Sequence, residues 1–328
     1  MNIKDKIKGL FLEVNELSIK EIADSLLVSK QAIHYAVNQL LSENFLEKLG
    51  RTPKTIYRKI KENSTRSEVA LPVIPDEENA FLKRNFLLIT ETGTMLEGLE
   101  GFDKWCKQRN LPLLKTLKEY VFTKEKYDSY IEKNGLINGM NKLKTTKGYE
   151  HIWLDDLYYV DFYAIERFGK TRLGTLLHYA KQGQNKMLMK ILVDEVRNKI
   201  QKFLEEKKAD AVAFVPPTIR REVQIMRFIE TQLKISLPVI KVNKISGIIP
   251  VPQKSLNKLE ERIRNAENTF SITENNRYNN VVLIDDAVGS GSTLNEIAGK
   301  IKNKKIAQQI TGLAIVGSFK GFDVITDV

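Results

Sequence analysis

The segment VVLIDDAVGSGSTLNEIAGKI (281–301) runs from an apolar, β-branched strand into two adjacent carboxylates, Asp285 and Asp286. It continues through Ala287 and Val288 to a small-residue loop, Gly289-Ser290-Gly291-Ser292-Thr293, and then into a helical pattern. Each part has a physical use at a sugar phosphate. Backbone N–H groups in such a loop and at the helix N-terminus point at an anion, and glycine lets the backbone come close. Ser290, Ser292 and Thr293 add hydroxyl donors. Carboxylates at the end of a strand can accept hydrogen bonds from the vicinal hydroxyls of a ribose, with a divalent cation nearby. An Asp N-cap before a Gly/Ser turn would explain the loop alone, but not the buried strand leading into a paired acid. Two other phosphate motifs do not fit the spelling. There is no G-x-x-x-x-G-K-[ST], and Gly289-x-Gly291 is followed by Leu294 where a dinucleotide fingerprint has its third glycine.

Outward from this segment, AVAFV (211–215), LPVIKV (237–242) and GLAIVGSF (312–319) are further short apolar runs. Helical patterns over about 171–208, 219–234 and 292–303 lie among them. Strands alternating with helices predict an α/β fold with a parallel sheet and flanking helices. Residues 81–150 are mostly helix-favouring, with Leu99, Phe102 and Trp105 as candidate core, and nothing in them names a role. Cys106 reads as a buried apolar residue rather than a nucleophile, having no adjacent His. Residues 63–80 carry two Pro and an acidic run and read as a linker. The division is therefore 1–62, a linker 63–80, a helical segment 81–150, and an α/β domain 151–328.

Strand, two acids, an apolar pair and a G/S/T loop together resemble the signature of the type I phosphoribosyltransferase fold. The resemblance implies that Asp285 and Asp286 bind the ribose hydroxyls of 5-phosphoribosyl 1-pyrophosphate (PRPP) with Mg²⁺, and that Gly289–Thr293 cradle its 5′-phosphate. Over roughly residues 152–320 the chain is similar to ComF-type proteins, relatives of that fold linked to competence and DNA uptake. The similarity is carried by the Lys181-Gln182-Gly183 turn, the Val215-Pro216 strand end and Glu261-Arg262 followed by Asn265. In that fold the turn after the 211–215 strand faces the pyrophosphate, which makes Pro217, Thr218, Arg220 and Arg221 candidates. The two arginines equally suit a solvated first turn of the helix over 219–234. The segment 243–280 would hold a mobile loop closing over the site, with Lys254, Lys258 and Arg262 as possible charge. Two departures stand out. ComF-type chains often begin with a cysteine zinc module, absent here, and purine-salvage members commonly carry an acid at the position of Gly289.

The first 62 residues read differently. LSIKEIADSLLVSKQAIHYAVNQLLSENF predicts two helices around a tight turn. Ser18 and Glu21 form a capping box on the first, with Ile22, Ala23, Leu26 and Leu27 as its apolar stripe. Ser29 caps the second, whose buried face is Ile33, Val37, Leu40 and Leu41. FLEKLGRTPKTIYRKI then predicts a hairpin with strands near 45–49 and 55–60. This arrangement resembles a winged helix-turn-helix domain, which implies double-stranded DNA as partner and the second helix in the major groove. The residues at that surface are Ser29, Lys30, Gln31, His34 and Tyr35. From Lys48 to Lys61 there are six basic residues and no acid, and Lys48, Arg51, Lys54 and Arg58 suit phosphate contacts. A small helical protein-interaction domain with a basic face would share much of this pattern.

Composition narrows the remaining choices. The chain has 328 residues and a formal charge of +11, with one Cys and three His, so neither a disulfide framework nor a clustered Cys/His metal site is expected. No apolar run reaches the ~18 residues a membrane span needs, and the N-terminus lacks a signal-peptide pattern, which together predict a cytoplasmic protein with no membrane partner. Three functions stay open. One is a DNA-binding regulator whose α/β domain senses PRPP or a nucleotide, a domain order that resembles purine-operon repressors. Another is a phosphoribosyltransferase acting on a nitrogenous base, and the third is a ComF-like factor in DNA uptake or repair. A palindromic operator would favour a homodimer.

Overall fold

The structure, a computed structural model, describes residues 2–43, 45–51, 54–60, 72–146, 149–217, 221–245 and 269–318. Chain contacts divide it into two compact units, Met1–Val73 and Ile74–Val328.

The first unit contains α1 (Ile3–Glu13), β1 (Glu16–Leu17), α2 (Ile19–Leu26), α3 (Lys30–Ser42), β2 (Leu46–Arg51) and β3 (Lys54–Lys59). The three strands form an antiparallel sheet in the order β1-β3-β2. The capping box forms as its spelling predicts: Ser18 Oγ accepts from Glu21 N–H at 3.3 Å, and Glu21 Oε2 accepts from Ser18 N–H at 2.7 Å. Ile22, Ala23, Ile33, Val37 and Leu40 are buried together with Ile7 and Phe11 of α1, a helix the motif reading had not singled out. Leu27 departs from the expected stripe. It ends α2 in the left-handed conformation and is 92% exposed, because the helix stops one residue too early to turn it inward. Pairing in the hairpin also runs further than expected, to Arg51 opposite Lys54.

The second unit is built on a seven-stranded sheet. Its helices and strands are α4 (Asp76–Asn85), β4 (Leu87–Ile89), β5 (Met95–Glu97), α5 (Gly98–Gln108), α6 (Leu113–Asp128), β6 (Ile137–Asn138), α7 (Met140–Thr145), β7 (Asp156–Phe162), β8 (Ala164–Ile165), β9 (Gly169–Lys170), α8 (Arg172–Gln182), α9 (Lys186–Glu206), β10 (Ala211–Phe214), α10 (Ile225–Leu233), β11 (Val239–Lys244), β12 (Phe270–Thr273), β13 (Tyr278–Val288), α11 (Ser292–Asn303) and β14 (Ala307–Gly317). The sheet order is β12-β11-β10-β13-β14-β7-β6. The inner five strands are parallel, and the edge strands β12 and β6 are antiparallel to their neighbours. The fold is thus α/β, with a mostly parallel sheet flanked by helices.

Burial on both faces explains why the central strands read as unbroken apolar runs. Val281 and Leu283 face a core shared with α11 and with Phe102, Trp105, Leu117 and Tyr120 of α5 and α6. Val282 and Ile284 face the opposite core, lined by α8, α9 and α10. Residues 74–146 therefore belong to the sheet's own core rather than to a separate helical piece. Besides helices they supply the β4–β5 hairpin and the edge strand β6. Arg172 binds this segment to α8 and α9 through Glu97 at 2.7 Å and Glu195 at 2.8 Å. The acidic run assigned to the linker, Asp76, Glu77 and Glu78, instead occupies the first turn of α4, where the helix dipole favours negative charge. Cys106 is 1% exposed, and burial pushes its thiol up to about 11, so it is packed apolar surface rather than a thiolate. Among the described residues no helix is long and apolar enough to cross a membrane.

Candidate functional site

In parallel α/β sheets ligands bind beyond the carboxyl ends of the strands. In this unit that edge carries the 285–293 segment. β13 does not end at the paired acids: Asp285 is still in register with Ala314, Ala287 with Val316 and Val288 with Gly317. The turn begins at Gly289. Both carboxylates are therefore set by a sheet ladder, a firmer support than a loop.

Asp286 is 5% exposed and forms an ion pair with Lys181 Nζ from the last turn of α8. Its own N–H donates to Asp285 Oδ1 at 2.7 Å. Asp285 keeps some exposed surface, but its carboxyl is closely surrounded. Burial first, and the Asp286 charge second, push it up to about 7, against the opposing pull of Lys181. Sequence reading named both acids but gave Lys181 no role, since the ion pair spans 105 residues. The hint was only its place in the Lys181-Gln182-Gly183 turn.

Beyond Val288, Gly291 adopts φ +83°, and a Cβ there would come within 3.0 Å of Leu143. This left-handed residue turns the chain into α11 and, as its N-cap, offers no side chain to the helix's N–H groups. Ser290 Oγ donates to Ser292 Oγ at 3.1 Å and accepts weakly from Ser292 N–H at 3.4 Å. The rest of the site is braced from outside. Tyr149 donates its hydroxyl to the Ser290 carbonyl at 2.8 Å. One turn into α11, the buried Asn295 accepts from Trp153 N–H at 2.7 Å and donates to the His151 carbonyl at 2.9 Å. Gly289 differs from Gly291, as a Cβ on it would meet no described residue within 4 Å.

The pyrophosphate-side candidates fare unevenly. Pro217 follows β10, while Thr218 and Arg220 lie outside the described residues, as do Lys254, Lys258 and Arg262. The expected helix over 219–234 begins only at Ile225. Arg221 is committed elsewhere: its guanidinium donates to the Lys181 carbonyl and to Gln182 Oε1, the latter at 3.1 Å. It fastens the strand-end turn to the end of α8, a structural use that weakens its candidacy as a ligand. Within 243–280, residues 243–245 and 269–273 take part in antiparallel pairing of β11 with β12.

Among the described residues no group of three or more His, Cys, Asp or Glu could hold a metal. Two adjacent carboxylates, one already paired with Lys181, do not make a protein cage for a cation. They do fit Mg²⁺ that arrives with a phosphate ligand, since that ion keeps several waters and takes one or two carboxylates.

In the first unit the expected DNA-facing residues of α3 are grouped and exposed. Ser29 caps the helix with Oγ 3.4 Å from Ala32 N, and Lys30, Gln31, His34 and Tyr35 lie on its outer surface, Tyr35 being 70% exposed. Lys48 is exposed on β2, and the side chains of Arg51 and Lys54 lie outside the described residues. Arg58 does not fit the expectation of a phosphate-facing cation. It donates through Nε to Glu16 Oε1 at 2.8 Å and lies 3.6 Å from Glu47, so two acids from neighbouring strands neutralise it.

No protein-family model matches the chain, and no curated protein matches it either.

The Asp285 environment has a measurable consequence. An unfolded carboxyl titrates near 3.8, so between about pH 4 and 7 the folded state holds a proton that the unfolded state has lost. Stability falls as pH rises through that window, and the loss is complete above it. Asp285→Asn is therefore expected to raise the melting temperature of the second unit by a few degrees at pH 8, about 1–2 kcal/mol, and much less at pH 5. Thermal unfolding of both proteins at the two pH values checks it, and an equal change at both would contradict the burial argument.

Proposed function

We propose that this chain is a DNA-associated regulator whose α/β unit has a type I phosphoribosyltransferase-like fold and binds PRPP or a related nucleotide together with Mg²⁺. One observation carries the reading: two laddered carboxylates, a left-handed Gly291 and the α11 N-terminus that it opens share one edge of the sheet. Acceptors suited to ribose hydroxyls and donors suited to a phosphate are thus set side by side. Asp285 and Asp286 would hold the ribose and its Mg²⁺, and the N–H and hydroxyl groups of Gly289–Thr293 would hold the 5′-phosphate. The bound Mg²⁺ would neutralise pyrophosphate charge. In the first unit, two helices in tight succession followed by a hairpin support a winged helix-turn-helix, with α3 entering the major groove.

Regulation is favoured over turnover because Gly289 offers no acid or base to an incoming nucleobase. A sensing role further requires that the ligand bind with different free energy to DNA-competent and DNA-incompetent states. The test is a calorimetric titration of the full chain with Mg²⁺-PRPP, paired with a pyrophosphate-release assay across nucleobases. Binding without release is the expected result. Release with one base would make the chain a transferase instead, and no binding would overturn the PRPP reading.

A further inference from the structure

Lys142 lies in α7 and donates through its ammonium to the Ser318 carbonyl. Ser318 is 2% exposed, and its own N–H donates at 3.2 Å to the carbonyl of Val288, the last residue before Gly289. The next residue along, Leu143, is the one a Cβ on Gly291 would meet. A few residues further, the Tyr149 hydroxyl holds the Ser290 carbonyl. Tyr149 thus bonds the turn directly, Leu143 packs beside Gly291, and Lys142 reaches the strand end before the turn through Ser318. Lys142 is half-buried, and burial holds its ammonium down to about 8, with no opposing carboxylate among the described residues. Two other half-buried lysines of this unit do have one: Lys181 pairs with Asp286, and Lys302 with Asp155 at 2.8 Å. An ammonium has three donors, and one neutral carbonyl satisfies only one of them. A cation withdrawn from water without a counter-charge is unfavourable unless an anion comes to it.

We propose that Lys142 is a ligand-binding residue, the cationic arm of the 289–293 loop, which contacts the same phosphate monoester that the loop cradles. This inference rests on the phosphate-loop reading above. Backbone N–H groups and a helix N-terminus offer only partial positive charge, whereas a lysine brings a whole one. It also comes from a different element, α7 rather than α11.

The test uses the full chain, titrated calorimetrically with ribose 5-phosphate and with inorganic phosphate. Lys142→Met is expected to weaken both by about 10-fold or more, and Lys142→Arg to stay within about threefold of the wild type, because charge is what is lost or kept. An unchanged affinity in Lys142→Met would overturn the role of Lys142 and leave the loop reading standing. If the wild-type chain binds neither probe, both fall. If it binds ribose 5-phosphate through Lys142 but not Mg²⁺-PRPP, the anion site stands and the PRPP reading falls. Should the Met variant fail to fold, acetylation of the wild-type lysines, mapped by peptide mass, decides instead. Lys142 should be protected by saturating inorganic phosphate, and equal labelling with and without phosphate would overturn the proposal.

Discussion

Asp286→Ala is expected to reduce the affinity of the full chain for Mg²⁺-PRPP by about 100-fold or more, equivalent to about 2.7 kcal/mol. The size follows from what is removed. A carboxylate that accepts from a ribose hydroxyl makes a charge-assisted bond worth about 1.5–3 kcal/mol, and its contribution to the cation is lost with it. The deletion also leaves Lys181 without its ion-pair partner on the same edge of the sheet. Affinity should therefore lose most of its dependence on Mg²⁺ in the variant while retaining it in the wild type. Titrations with and without the cation separate that effect from general damage. Asp286→Asn provides a second measure, as it keeps the shape and removes the charge. If both variants bind within about threefold of the wild type, the ribose assignment of this carboxylate is wrong.

Set beside Asp285→Asn, this variant exposes a division of labour between neighbours. Asp286 is ion-paired with Lys181, whereas Asp285 is pushed toward neutrality by burial and by the Asp286 charge. Two adjacent carboxylates in one partly dry site raise the cost of ionising the second, and a divalent cation relieves it. The arrangement is destabilising for the fold alone, and under the proposed function a bound cation and hydroxyl donors would offset it.

Much of this was legible in the sequence because it is local. The strand-acid-loop-helix order, the Ser18–Glu21 capping box and the alternating strands and helices are all written within windows of a few residues. What was not legible is what bridges distant parts. β7 carries Asp156 and Asp161 within DLYYVDF, which breaks the apolar run that marked the other central strands. The core role of residues 74–146 depends on aromatic packing, such as Phe86 against Phe102 at 5.0 Å and Tyr120 against Phe168 at 5.0 Å, which no helical period discloses. Lys181 on Asp286 and Lys142 on Ser318 join residues 105 and 176 positions apart. Arg221 shows the converse. A basic residue after a strand suggested phosphate, and long-range hydrogen bonds to the end of α8 gave it another use.

Arg58 carries the same lesson into the DNA prediction. Lys30 and Lys48 are exposed, one at the start of α3 and the other on β2, whereas Arg58 is engaged by Glu16 and Glu47. Lys30→Ala combined with Lys48→Ala should weaken duplex DNA binding by about 10-fold or more at moderate salt, and reduce the slope of log affinity against log salt by about 1.8, since each phosphate contact contributes about 0.9. Arg58→Ala should leave the slope unchanged, because a cation already neutralised by two acids releases no counterion from DNA. Its effect should instead be a lower melting temperature of the first unit, though a small one, as exposed ion pairs contribute about 0–1 kcal/mol. Fluorescence anisotropy across a salt series reads both slopes. If Arg58→Ala flattens the slope and the lysine pair does not, DNA approaches the β1–β3 side of the sheet rather than the α3 face. If neither variant changes it, the first unit does not bind DNA through this surface.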